Sequence, residues 1–141
     1  MNDILANIKS ITNSSLAESV LQRLDSFKYE VNESDTWSIC FAIQKVENHI
    51  KNFCNITKIP EGLFNNAVDM ICGEFLFAKK QTGQLAIADL DLSGAIQQIS
   101  EGDTSITFVS GASDEEKFNI MLNYLLHNGE GDLVCFRKFK W

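Results

Sequence analysis

Residues 35–54, DTWSICFAIQKVENHIKNFC, decide the fold class. Ile39, Ile43, Val46, Ile50 and Phe53 step by four, three, four and three, while Gln44, Lys45, Glu47, Asn48, Lys51 and Asn52 cover the other side. That period is the signature of an amphipathic helix with one packed and one wet side. The preceding KYEVNESD, residues 28–35, is polar enough for a connection. Ser34 or Asp35 stands where a side-chain oxygen can accept the first free N–H groups of the helix.

The same period extends in both directions. Upstream, Ile4, Leu5, Ile8 and Ile11 fall at helical spacing before Asn13-Ser14-Ser15 interrupts it. Ser15 and Glu18 then have the spacing of a capping box, and Leu16, Val20, Leu24 and Phe27 give a second helix its stripe. Downstream, Pro60 suits a first helical turn, where its missing N–H costs nothing and Glu61 meets the positive end of the dipole. Phe64, Ala67, Val68, Ile71, Phe75 and Ala78 line that helix's expected buried face, and Lys79, Lys80 and Gly83 end it. Gly73 inside it costs about 1 kcal/mol against Ala, which points to a close helix contact.

Beyond residue 83 the character changes. IQQISEGDTSITFV sets Glu101-Gly102-Asp103 between two β-tending runs, with Thr104, Ile106 and Phe108 alternating against Ser105, Thr107 and Val109, and predicts a hairpin near 95–109. Ser113 and Glu116 form a second capping box for a helix over 113–127 whose stripe is Phe118, Met121, Leu122 and Leu125, with Asn128-Gly129 as its stop. Residues 133–141 alternate as Leu133, Cys135, Arg137, Phe139 and Trp141 against Val134, Phe136, Lys138 and Lys140, the pattern of a terminal strand. The predicted fold is one mainly α domain of four to five helices with a small β-hairpin and a strand-like C-terminal arm. Residues 1–34 form a helical extension, 35–128 the core and 129–141 the arm.

Composition agrees with a single core. The chain has 141 residues, 45% hydrophobic and 22% charged, with one Pro, which excludes disorder and low complexity. No run approaches the roughly 18–20 apolar residues that span a bilayer, and MNDILANIKSITNSS has no basic region leading an apolar one. A soluble, unsecreted protein is expected, so the sequons at Asn13 and Asn55 carry no weight. Cys40, Cys54, Cys72 and Cys135 form no CxxC pair and read as small core hydrophobes in a reducing cell.

Charge is distributed unevenly. The net value is −7, yet residues 86–132 hold nine acids and one base, Lys117, whereas Arg137, Lys138 and Lys140 sit among Phe136, Phe139 and Trp141. An acidic body carries a basic, aromatic tail. Such a body repels phosphates, so nucleic acid is not an expected ligand, and an acidic wall would let DNA pass without sticking if it lined a channel.

Motifs for chemistry are absent. His49 and His127 have no carboxylate or cysteine partner at a metal or nucleophile spacing, and there is no G-x-G-x-x-G, phosphate loop or G-x-S-x-G elbow. Asp89-x-Asp91-x-Ser93-Gly94-x-Ile96 matches the start of a calcium loop, but Ser100 stands where a bidentate Glu is required. No catalytic residue, cofactor or metal is expected.

From about residue 35 onward the chain resembles the head–tail connector (adaptor) family of long-tailed phages, prophages and phage-tail-like particles. The carrying segments, in order, are VENHIKNFCNITKIPEGL, AVDMICGEFLFAKKQTG, ISEGDTSITF, SDEEKFNIMLNYLL and LVCFRKFKW. The resemblance covers about three quarters of the chain. It implies a non-catalytic protein of the virion neck, made in the host cytoplasm and assembled as a dodecameric ring between the portal protein and a tail-completion, stopper or tail-terminator protein. DNA would meet it only in transit, and no membrane is involved. It further implies that Leu133, Val134, Phe136, Arg137, Lys138, Phe139, Lys140 and Trp141 form an arm to the portal. Glu101, Gly102 and Asp103 would belong to a loop facing the lumen or the tail. Residues 1–34 are longer than the family pattern.

Physically, a terminal strand with unpaired edges and aromatic anchors suits addition to a neighbour, although pairing within its own subunit, for example with 103–109, is the plainer reading. A different class of function, a small acidic helical regulator engaging a single protein partner through residues 86–132, fits the same charge pattern.

Overall fold

The computed structural model describes residues 2–12, 15–83, 85, 90–92, 113–127 and 130–135. Among them the fold is mainly helical: α1 (Asn2–Thr12), α2 (Ala17–Ser26), α3 (Thr36–Cys54), α4 (Phe64–Gln81), α5 (Asp114–His127) and α6 (Glu130–Cys135), with 3-10 turns at Glu33–Asp35 and Glu61–Leu63. No strand occurs among these residues. The expected hairpin near 95–109 lies outside them.

The apolar stripes read from the sequence converge. Ile39, Ile43 and Ile50 of α3 are fully buried and Val46 nearly so, Phe53 packs at the margin, and Leu16, Val20, Leu24 and Phe27 close over the other side. Ile4 and Ile8 join the same cluster, so the residues before 35 are built into the core. Phe118, Met121, Leu122 and Leu125 complete it from α5.

Helix α4 is the centre of the arrangement, packing against α2, α3 and α5, while α1 packs on α3. Its burial explains a departure from the expected stripe. Ala78 is exposed, whereas Met70, Cys72 and Leu76 are buried, because a helix with neighbours on three sides buries far more than a one-sided stripe. Gly73 makes the close contact its position implied. A Cβ there would lie 3.1 Å from Leu125 Cβ and 3.0 Å from Leu126 Cδ2, both on α5.

Helix ends match the sequence in part. Glu116 N–H donates to Ser113 Oγ at 3.2 Å, the expected cap of α5, and Gly83 takes φ +72° after α4. Helix α3 ends on Asn55 in the left-handed region, with Ile56 N–H donating to the Lys51 carbonyl. Ser15 does not cap α2, whose N-cap is Leu16 with no side-chain hydrogen bond. Pro60 precedes a 3-10 turn and α4 opens only at Phe64.

The C-terminal expectation needs correction where it can be seen. Leu133, Val134 and Cys135, expected to open a strand, close helix α6 instead. Leu133 is buried, and its carbonyl accepts a hydrogen bond from Cys54 Sγ at 3.3 Å, so packing on the end of α3 overrides the alternating pattern. Residues 136–141 lie outside the described residues.

Candidate functional site

Of the expected arm, Leu133 is buried in its own subunit and Val134 is exposed, while Phe136, Arg137, Lys138, Phe139, Lys140 and Trp141 lie outside the described residues. Glu101, Gly102 and Asp103 do so as well. Asp91, from the partial calcium motif, is exposed and its N–H donates to the Phe27 carbonyl at 3.2 Å. The rest of that motif, apart from Leu90 and Leu92, is not described.

The most organised polar site was not legible as one. Asp35 is fully buried, and its carboxylate accepts three hydrogen bonds: from Lys79 Nζ at 2.7 Å, Tyr29 Oη at 2.9 Å and Asn32 N–H at 3.0 Å. It forms no side-chain cap on α3, contrary to the sequence expectation, because these partners claim its oxygens. The Tyr29 ring meets Phe75 edge-on, with centroids 5.4 Å apart. Burial, then the Asp35 hydrogen bond and charge, hold the Tyr29 phenol above its ordinary range.

In the sequence Lys79 reads as part of the basic end of α4. Its spacing of four from Phe75 and seven from Cys72 places it on the buried side, and that was the available signal. The cluster ties the 27–35 connection to the end of α4. With three donors on a fully buried carboxylate, its chemistry is positional.

Two large side chains outside the apolar stripe of α3 are Trp37 and Phe41. They stand one turn apart on the wet side of α3, exposed despite their size. Phe77 of α4 is also exposed, and Ile11 of α1 shares a groove with Trp37 lined also by Asn7, Ser10, Glu33 and Thr36.

An open groove of about 540 Å³ lies between α2 and α4 beside Arg23, Asp69 and Asn65. Arg23 Nε donates to Asp69 Oδ1 at 3.1 Å and its guanidinium covers the Phe27 ring, so its charge is engaged within the fold. Cys40, Cys54 and Cys72 are buried free thiols, and burial pushes Cys40 and Cys72 above the ordinary thiol range, which leaves them inert as nucleophiles. His49 stacks loosely on Phe53 at the surface. Among the described residues no group of three His, Cys, Asp or Glu side chains could hold a metal ion, and no helix is long and apolar enough to cross a membrane.

No family model, curated protein or solved structure matches the chain.

Proposed function

We propose that this chain is a structural assembly protein, a head–tail connector (adaptor) that forms a ring between the portal and the tail of a phage or phage-tail-like particle. The observation that carries the reading is the order of the segments from VENHIKNFCNITKIPEGL to LVCFRKFKW, which ends an acidic chain in a basic, aromatic run. In this reading Phe136, Phe139 and Trp141 anchor on the portal while Arg137, Lys138 and Lys140 select an acidic surface. Leu133, held against α3, is the point from which that arm departs. The lumen or tail-facing loop is Glu101-Gly102-Asp103. The role is mechanical and requires no catalytic group or cofactor.

The test is reconstitution with portal rings encoded by the same genome. Electron microscopy is expected to show an added ring, and replacing Phe136, Phe139 and Trp141 by Ser should abolish it without changing the circular dichroism of the chain. A portal that never binds the wild-type protein would overturn the reading. A second reading rests on the eight net negative charges of residues 86–132: a regulator that engages a single protein partner. A stable 1:1 complex with such a partner, measured by solution mass, would favour it.

A further inference from the structure

Register fixes the geometry of the exposed aromatics. Asp35 pairs with Lys79 at 2.7 Å and Lys45 pairs with Glu74 at 3.0 Å, so residue numbers rise along α3 as they fall along α4. The helices are antiparallel neighbours, and the Lys45–Glu74 pair spans the outer seam between them. Phe41 stands one turn before Lys45 on α3, and Phe77 three residues after Glu74 on α4. Both therefore lie toward the same end of that seam and on its solvent side. Trp37 continues the row one turn beyond Phe41 and adjoins Ile11 through their common groove. The result is an apolar band crossing α1, α3 and α4, in which Trp37 is 72% exposed, Phe41 70% and Phe77 43%.

We infer that this band, centred on Trp37 and Phe41, is a contact surface for a second copy of this chain. Area is the first reason. The three aromatics present roughly 400 Å² to solvent, within the range of the largest, usually functional, apolar patches of monomers. The same contribution from each of two copies, with its polar rim, reaches the roughly 1,200 Å² at which specific interfaces begin.

Charge decides the occupant. The chain carries −7, so a second copy is repelled wherever it meets unpaired acid. Among the described residues, the exposed neighbours in the helices include Ser38, Gln44, Ala78 and Gln81, the charges nearby are paired as Lys45 with Glu74 and Lys80 with Glu115, and Glu33 lines the groove. This near-neutral, aromatic face lets two acidic molecules approach with little repulsion. Among the described residues it has no cationic rim for an anionic membrane and no unpaired charged rim to select a strongly charged partner.

The inference stands on the face and does not need the neck reading. A chain that self-associates but ignores the portal keeps this inference and loses that one.

The test uses the full chain alone. Sedimentation velocity of the wild type is expected to show concentration-dependent association. The double variant Trp37→Ser, Phe41→Ser should raise the dissociation constant about tenfold or more while retaining the wild-type circular dichroism. In parallel, a benzophenone photo-crosslinker at position 41 is activated in a mixture of ¹⁵N-labelled and unlabelled protein. Heavy–light cross-linked pairs support the inference. Cross-links confined to one chain, for example to residues 93–112, overturn it by showing that the chain covers its own face. A wild type that stays monomeric to about 1 mM, or a double variant that associates as the wild type does, overturns it as well.

Discussion

A single carboxylate organises the region where α2, α3 and α4 meet. Asp35 is fully buried, and such an ion pair is weak evidence for net stability, since desolvation offsets most of the attraction. Breaking it is a different matter. Lys79→Met leaves a buried carboxylate without its cation and should lower unfolding stability by about 3–5 kcal/mol in urea denaturation, whereas adding Asp35→Asn to that variant should recover part of the loss. Tyr29 and Cys72 set the alkaline limit. Both groups have folded pKa values above their ordinary values of 10.0 and 9.0, so below those values both states hold their protons and the full stability is present. As pH rises past about 9 and then 10, the unfolded chain releases protons that the folded chain keeps, and stability falls. Thermal melts from pH 8 to 11 should show this decline, and Tyr29→Phe with Cys72→Ala should flatten it.

Elements are selected by their partners as much as by their own sequences. Gly73 illustrates the balance within α4. Alanine there gains about 1 kcal/mol of helix propensity. Its Cβ, however, meets the buried Leu125 at 3.1 Å, and making room means displacing α5. Overpacking of this kind costs about 1–3 kcal/mol, so Gly73→Ala should lower the melting temperature rather than raise it, and Gly73→Val should lower it further. The extents of α3 and α5 were legible from their period, and at α5 from the cap as well: Ser113 does cap α5, and Ile39, Ile43, Val46 and Ile50 of the α3 stripe are buried while Phe53 is partly so. Helix α6 was not. Alternation over Leu133, Val134 and Cys135 is a two-residue cue, and the bond from Cys54 Sγ to the Leu133 carbonyl joins positions 79 apart in sequence, which no local pattern encodes.

At the scale of the molecule, charge is unevenly distributed along the chain. The acid is concentrated in residues 86–132 and the base in 137–140, while the aromatic band on α1, α3 and α4 is nearly neutral. Repulsion between −7 copies is long-ranged and screened by salt, whereas burial of Trp37 and Phe41 is not weakened by it. Raising sodium chloride from about 0.05 to 0.5 M should therefore strengthen self-association, with a smaller dissociation constant in sedimentation. A contact built on ion pairs would weaken over the same range.

The sequence by itself determined the helical class, the faces of α3 and α5, the close approach at Gly73 and the acidic body with its basic tail, because each is a matter of period, spacing or composition. Trp37 and Phe41 were also within reach, since both fall on the wet side of the opening stretch. Only the tertiary structure decided that Asp35 and Lys79 form a buried pair, that α4 is covered on three sides and that Leu133 ends a helix. Those outcomes join residues distant in the chain, and their energies come from desolvation and packing that arise only once the elements have met.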